Sequence, residues 1–119
     1  MTYQKWIGDK GEKIAAEYIS DRGYEVLDRN YHTRYGEIDL VARDGDDLIF
    51  VEVKARTNTE FGLPEVSVTP AKLEKIEKAA LFWLQAHPEV PDTWRIDVVA
   101  ILLNKDKTIN DIQHFINVA

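Results

Sequence analysis

Apolar and polar positions change rhythm several times along the chain, and each rhythm predicts an element. Ile7, Gly11, Ile14, Ala15, Tyr18 and Ile19 recur at helical spacing. They predict a helix from about Asp9 to Asp21, with Gly23 placed to end it. Asp9 is the expected N-cap, and Glu12 three residues later would complete an arrangement like a capping box. Tyr24 to Asp28 then reads as a short strand, followed by an irregular connection from Arg29 to Tyr35. Beyond it the period drops to two, where alternate residues share a face. Glu37 and Asp39 share one face of a strand. In the run from Asp47 to Ala55, Leu48, Phe50, Glu52 and Lys54 point one way while Ile49, Val51 and Val53 point the other. Asp44-Gly45 between the two runs favours the positive backbone angles of a tight turn, so they form an antiparallel hairpin. Folding back at Gly45 sets Asp39 about level with Glu52.

A loop from Ala55 to Val68, carrying Gly62 and Pro64, leads to Thr69-Pro70, a start signal for a second helix. Leu73, Ile76, Ala80, Trp83 and Leu84 give that helix an apolar stripe; His87-Pro88 closes it, and a loop runs on to Pro91. Arg95 to Leu103 is a strongly apolar strand reached through a helical crossover, which predicts parallel pairing with the Glu52 strand. Ile109 to Val118 reads as a last strand near a sheet edge. The expectation is an α/β fold in the order α-β-β-β-α-β-β, a mixed central sheet flanked by helices. With 119 residues and no internal repeat, it should be a single domain over residues 1–119.

Composition narrows the function. The chain is 45% hydrophobic and 30% charged, the balance of a folded soluble protein. No apolar run reaches the ~18 residues a spanning helix needs, and the first residues lack a secretory signal's apolar core, so no membrane partner is expected. The chain has no cysteine, which makes the cytoplasm the default setting and oxygen the ligand type for any metal. A net charge of −6, from 21 acidic and 15 basic residues, argues against coating nucleic acid by charge alone. It leaves a nuclease open, because phosphate contacts depend on local charge.

The chemistry concentrates in the hairpin. Leu48-Ile49-Phe50-Val51 is continuous enough to be covered on both faces, so charges at its end need a reason. Half-buried carboxylates cost several kcal/mol unless a cation or hydrogen-bond donors compensate them. A hairpin with one solvated face is the competing reading. Otherwise Asp39, Glu52 and Lys54 have the layout of a metal-dependent phosphodiesterase site. Glu12 borders the Ala15, Ala16 and Ile19 side of its helix and could reach the sheet as a third acid. Arg34, upstream of the hairpin, and Arg56, in step with Lys54, are candidates for phosphate contact. Lys72 joins them if its end of the second helix faces the cleft; each has a solvated surface cation as its alternative. Asp97 could orient site residues or pair with Arg95 or Arg56. His32, His87 and His114 show no metal spacing. Trp6, Trp83 and Trp94 are expected in the core or an interface rather than as base-stacking platforms.

With Glu12, Asp39, Glu52 and Lys54 on that framework, the sequence resembles the PD-(D/E)XK nucleases, of restriction-endonuclease-like fold. It is most similar to their YraN-like group of small bacterial proteins, relatives of archaeal Holliday-junction resolvases. The resemblance runs through GDKGEKIAAEYISDRGY, GEIDLVARDGDDLIFVEVKART, FGLPEVSVTPAKLEKI and RIDVVAI. It departs from the wider family where Glu37-Ile38 replaces the proline before the aspartate. The resemblance implies a magnesium-dependent endonuclease, with manganese as substitute, for which DNA rather than RNA is the expected substrate, branched or irregular structures among the candidates. Asp39 and Glu52 would be metal ligands, Glu12 a further acid, and Lys54 would stand beside the attacking water. Lys54 could orient or deprotonate that water or stabilise developing charge; two neighbouring carboxylates favour its charged form and the cationic role. The alternative is a catalytically silent nucleic-acid-binding or adaptor module of the same fold, and an RNA-processing enzyme is a third reading. A homodimer would suit a symmetric junction, although no segment announces its interface.

Overall fold

The computed structural model of the chain describes residues 2–58, 60, 62–90 and 93–119. Helix α1 (Tyr3–Asp21) precedes three strands, β1 (Glu25–Thr33), β2 (Gly36–Asp44) and β3 (Asp47–Arg56). A 3-10 turn (Pro64–Ser67), helix α2 (Pro70–Ala86) and strands β4 (Trp94–Leu103) and β5 (Ile109–Phe115) follow. The strands lie side by side in sequence order. Pairing is antiparallel except between β3 and β4, which the α2 crossover makes parallel. This is the expected α/β fold with a mixed sheet, and it is compatible with a restriction-endonuclease-like core. Among the described residues no helix is long and apolar enough to cross a membrane.

Both faces of the sheet are covered, as the apolar run in β3 requires. On one face Ala15 and Ile19 of α1 pack on Leu40, Ile49, Val51 and Val99. On the other, Ile76 and Trp83 of α2 pack on Val41, Leu48, Phe50 and Ile96. Gly11 lets α1 sit close against β3, because a Cβ there would lie 2.7 Å from the Ala55 Cβ. Two residues, Gly45 and Asp46, join β2 to β3, with Gly45 at φ 60° and Asp44 paired to Asp47. Glycine at the first central position suits the type II′ turn, whose twist matches that of the strands.

Several boundaries differ from the sequence expectation. Helix α1 starts at Tyr3, where Thr2 caps it by accepting the Lys5 N–H at 3.1 Å. Asp9 therefore lies inside the helix, 3.5 Å from the Lys5 ammonium, and forms no capping box with Glu12. At the other end the Gly23 N–H reaches the Ser20 carbonyl and the Tyr24 N–H the Ile19 carbonyl, the two bonds of a Schellman ending. Strand β1 runs on to Thr33 through residues expected to be irregular; pairing with β2 carries it past a register shift between Val26 and Asp28. Strand β3 takes in Ala55 and Arg56, and Pro64–Ser67 forms its own turn within the expected loop. Thr59 and Phe61 of that loop, and Pro91 of the next, lie outside the described residues. Strand β5 stops at Phe115, and the Val118 N–H instead donates to the Ile96 carbonyl.

The feature that positions the site is a fork. Pairing of β2 with β3 runs from Asp44 and Asp47 to Leu40 and Val51 and then stops. Beyond that point Gly36 to Ile38 stay with β1, while Glu52 to Arg56 stay with β4.

Candidate active site

Asp39 and Glu52 stand at the crotch of this fork, one step past the last β2–β3 pair. Separation of the strands leaves the Val53 N–H without a ladder partner on β2, and it donates to Asp39 Oδ2 at 2.8 Å. Asp39 is 8% exposed and Glu52 3%, so neither is a solvated hairpin charge. Glu52 Oε1 lies 3.5 Å from Lys54 Nζ, along the same strand face, and 3.6 Å from Lys72 Nζ. Lys72 is there because Thr69 accepts its backbone N–H at 3.2 Å, fixing the start of α2 above the sheet. Across the gap, α1 contributes Glu12, whose Oε1 is buried without a hydrogen-bond partner. These five residues line one open cleft of about 380 Å³.

The electrostatics of the cleft are those of acids short of positive charge. Burial, reinforced by the Glu52 charge and only partly relieved by the Val53 N–H, pushes the Asp39 carboxyl up to about 8. Burial also raises Glu52, against the pull of Lys72 and Lys54. Glu12 is raised by burial and then by Asp9. A divalent cation would relieve all three. Among the described residues no three carboxylate or imidazole groups converge into a closed metal cage. Magnesium does not require one, since it is commonly held by one or two carboxylates with substrate phosphates and water completing its shell. Two hard oxygen donors beside an orphaned carboxylate oxygen fit such a site.

Not every candidate enters the cleft. Arg34 sits at the β1–β2 turn with its guanidinium 5.0 Å from the Tyr35 ring centre. Arg56 lines a separate groove, together with Lys54. His32 and Glu37 do line the cleft, paired across β1 and β2 with His32 Nδ1 3.1 Å from Glu37 Oε2. Sequence reasoning passed over this pair because it ended β1 at Asp28; strand pairing carried to Thr33 sets the two opposite each other. Asp97 pairs with Arg95 rather than Arg56 and stays out of the cleft. Trp83 is buried, with its Nε1 donating to Asp28, and Trp94 packs edge-on against Phe50. Trp6, expected in the core or an interface, is 40% exposed and so is not a core residue.

Comparison with known proteins gives a consistent match. Residues 11–101 match the family described as "Uncharacterised protein family UPF0102". A UPF0102 protein of Syntrophomonas wolfei is 46% identical over 111 residues, 93% of this chain and 95% of that protein. One from Syntrophus aciditrophicus is 44% identical over 106 residues, covering 89% and 84% respectively. A UPF0102 protein of Caldanaerobacter subterraneus is 39% identical over 115 residues, covering 96% and 94%.

Proposed function

The chain belongs to the UPF0102 family, and from the cleft at the fork of its sheet we propose that it is a divalent-metal-dependent endonuclease hydrolysing phosphodiester bonds in DNA. The observation that carries this reading is the cluster of buried, under-compensated acids beside two lysines in an open cleft. Buried carboxylates kept for stability alone are expected to be paired and hydrogen-bonded, whereas groups with strongly perturbed pKa values in a cleft mark chemistry.

Phosphodiester hydrolysis needs a nucleophile at neutral pH and neutralisation of the charge that builds on the phosphoryl oxygens. Magnesium, with manganese as its substitute, is the cation suited to Asp39 and Glu52, with Glu12 in reach; when bound it supplies charge neutralisation and acidifies a water. The chain's own residues do the rest. The Val53 N–H holds Asp39 in one orientation. Lys54, kept close to Glu52, presents an ammonium where charge develops on the substrate. Lys72 brings a second cation from the opposite wall and is suited to a neighbouring phosphate. DNA is the favoured substrate over RNA, with branched or irregular structures the first to try. The cytoplasm is the setting, and two copies would serve a symmetric junction.

One observation favours a second reading, a nucleic-acid-binding module without catalysis: Lys54 and Lys72 already contact Glu52 and occupy part of its coordination capacity. The two readings separate in one assay. Linear duplex, branched DNA and RNA are incubated side by side with magnesium or manganese, using wild type and Asp39→Ala. The nuclease reading expects metal-dependent cleavage that is lost in Asp39→Ala while binding persists. Folded wild type that cuts no substrate with either metal would refute it in favour of the module.

A further inference from the structure

A second hollow adjoins the cleft, and its chemistry is different. The N-terminal turns of α1 lie between the two, and Lys54 lines both. The second groove, about 560 Å³, is bordered by Tyr3, Lys54, Arg56, Thr57, Asn58 and Ser67 among others. No carboxylate lines it among the described residues, although the chain carries 21 acidic residues against 15 basic. Its polar lining is two cations and neutral hydrogen-bonding groups, complementary to a polyanion.

Tyr3 stands at the lip of this groove. It is 55% exposed, and three residues on along the helix Trp6 stacks beside it, with ring centres 6.4 Å apart and planes 28° from parallel. Residues three apart on a helix are neighbours, so the pair forms one aromatic surface. A lysine ammonium lies over each ring, on a flexible side chain that an incoming base would displace toward its phosphates. Lys107, on the β4–β5 connection, has its ammonium 5.0 Å from the Tyr3 ring centre, and that of Lys10 lies 5.5 Å from the Trp6 ring. The Tyr3 hydroxyl approaches Thr57 Oγ1 at 3.5 Å, joining the platform to the end of β3 just past Arg56. Exposed flat rings beside a cation-lined track are the two parts that single-stranded nucleic acid recognition requires: rings stack the bases and cations follow the phosphates. Duplex DNA, with its bases already stacked, has no use for the rings.

We propose that Tyr3 and Trp6 and the groove beside them bind unpaired bases of a nucleic acid strand whose backbone continues through Lys54 into the cleft. The proposal rests on the nuclease reading for why a strand enters the cleft. For what the groove takes, it rests on the rings and cations alone. It narrows the substrate class to nucleic acid with a single-stranded segment beside the scissile phosphate.

The test is a binding measurement without metal, so that no cleavage is needed. A labelled oligothymidylate of about 12 nucleotides, within the range one such surface covers, and a blunt duplex of the same length are titrated with wild type, Trp6→Phe and the double variant Tyr3→Leu/Trp6→Leu. Leucine keeps apolar bulk and removes the stacking face. Wild type is expected to bind the single strand, and the double variant to lose about tenfold or more of that affinity. Its duplex binding should stay within about twofold, and Trp6→Phe should keep most of the single-strand affinity. Should the double variant fail to fold, indole fluorescence decides: oligothymidylate quenches wild type and leaves Trp6→Phe unquenched. Undiminished single-strand affinity in a folded double variant overturns the proposal, as does wild type that binds no single strand. A double variant that loses self-association and keeps its single-strand affinity also overturns it, because the rings then serve a second copy of the chain. Ring-dependent binding by a protein that cuts nothing upholds the groove and removes the nuclease reading. Cleavage that survives with ring-independent binding does the reverse.

Discussion

Two sets of buried acids sit in the same sheet and are treated in opposite ways. Asp97 in β4 is wholly buried, yet it receives hydrogen bonds from Arg95 Nε at 3.0 Å, His114 Nε2 at 2.8 Å and the Asn117 N–H at 2.9 Å. Burial alone would raise its pKa; those donors outweigh it and hold the carboxyl below its usual range. Asp39 and Glu52 in β2 and β3 are almost as buried, and both are raised. The difference lies in what surrounds them: a saturated carboxylate holds β4, β5 and the last residues together, while the pair at the fork is left under-saturated, as the proposed cation site requires. Burial by itself does not mark a functional acid. Burial without sufficient donors is what the proposed function rests on.

The largest expected effect is on activity. Glu52→Gln should lower metal-dependent cleavage by about a thousandfold or more, since removing an electrostatic stabiliser of this kind typically costs several kcal/mol of barrier. Its urea midpoint should stay at or above that of wild type; a lower midpoint would mean that Glu52 is structural. Asp97→Ala should do the converse. Stranding Arg95 and His114 around a missing carboxylate should cost about 3–5 kcal/mol in urea unfolding, as breaking a buried pair does. A loss below about 1 kcal/mol would erase the contrast between the two sets.

Next in size is the response to metal. Manganese at a hundredfold excess over its dissociation constant should stabilise wild type by about 2.7 kcal/mol, read as a rise in Tm that Asp39→Ala abolishes. Because binding requires the carboxylates to ionise, the rise should be larger at pH 8 than at pH 5.5. Smallest is the pH dependence of the metal-free protein. Unfolded Asp39 releases its proton near 3.8, whereas the folded protein keeps it until about 8. The unfolded chain therefore binds fewer protons across that window, and the Asp39 contribution to stability falls as pH rises through it. Asp39→Asn should remove this slope and leave the variant more stable than wild type at pH 8, read as a higher urea midpoint. Asp97, lowered on folding, contributes in the other direction: its stabilisation is present above the ordinary carboxylate pKa and is lost as pH falls.

Much of this fold was legible because its elements carry clean periodicities. The apolar run of β3, the Asp44-Gly45 turn and the Thr69-Pro70 helix start are local signals that nothing elsewhere overrides. They suffice to level Asp39 with Glu52 and to align Lys54 with them. What the sequence hid depends on partners. Only Tyr3 among the first residues of α1 continues its apolar stripe, and it is exposed, so the Thr2 cap had no strong apolar signal behind it. The second half of β1, Arg29 to Thr33, has no strand-like alternation of its own and is held by β2, which is why the pairing of His32 with Glu37 could not be read from the sequence. The fork itself leaves no mark on the pattern, because a strand alternates in the same way whether or not its neighbour leaves it. Lys72 could be placed only conditionally, since its approach to Glu52 depends on how α2 lies across the sheet.

Gly11 has a consequence for tuning the cleft. A methyl group there would collide with Ala55 at 2.7 Å, so α1 could rest on β3 only at a greater height. Glu12 is the next residue along and would be carried upward with the backbone. One missing side chain thus acts as a depth stop for the third acid, and Gly11→Ala offers a way to withdraw Glu12 without altering its chemistry.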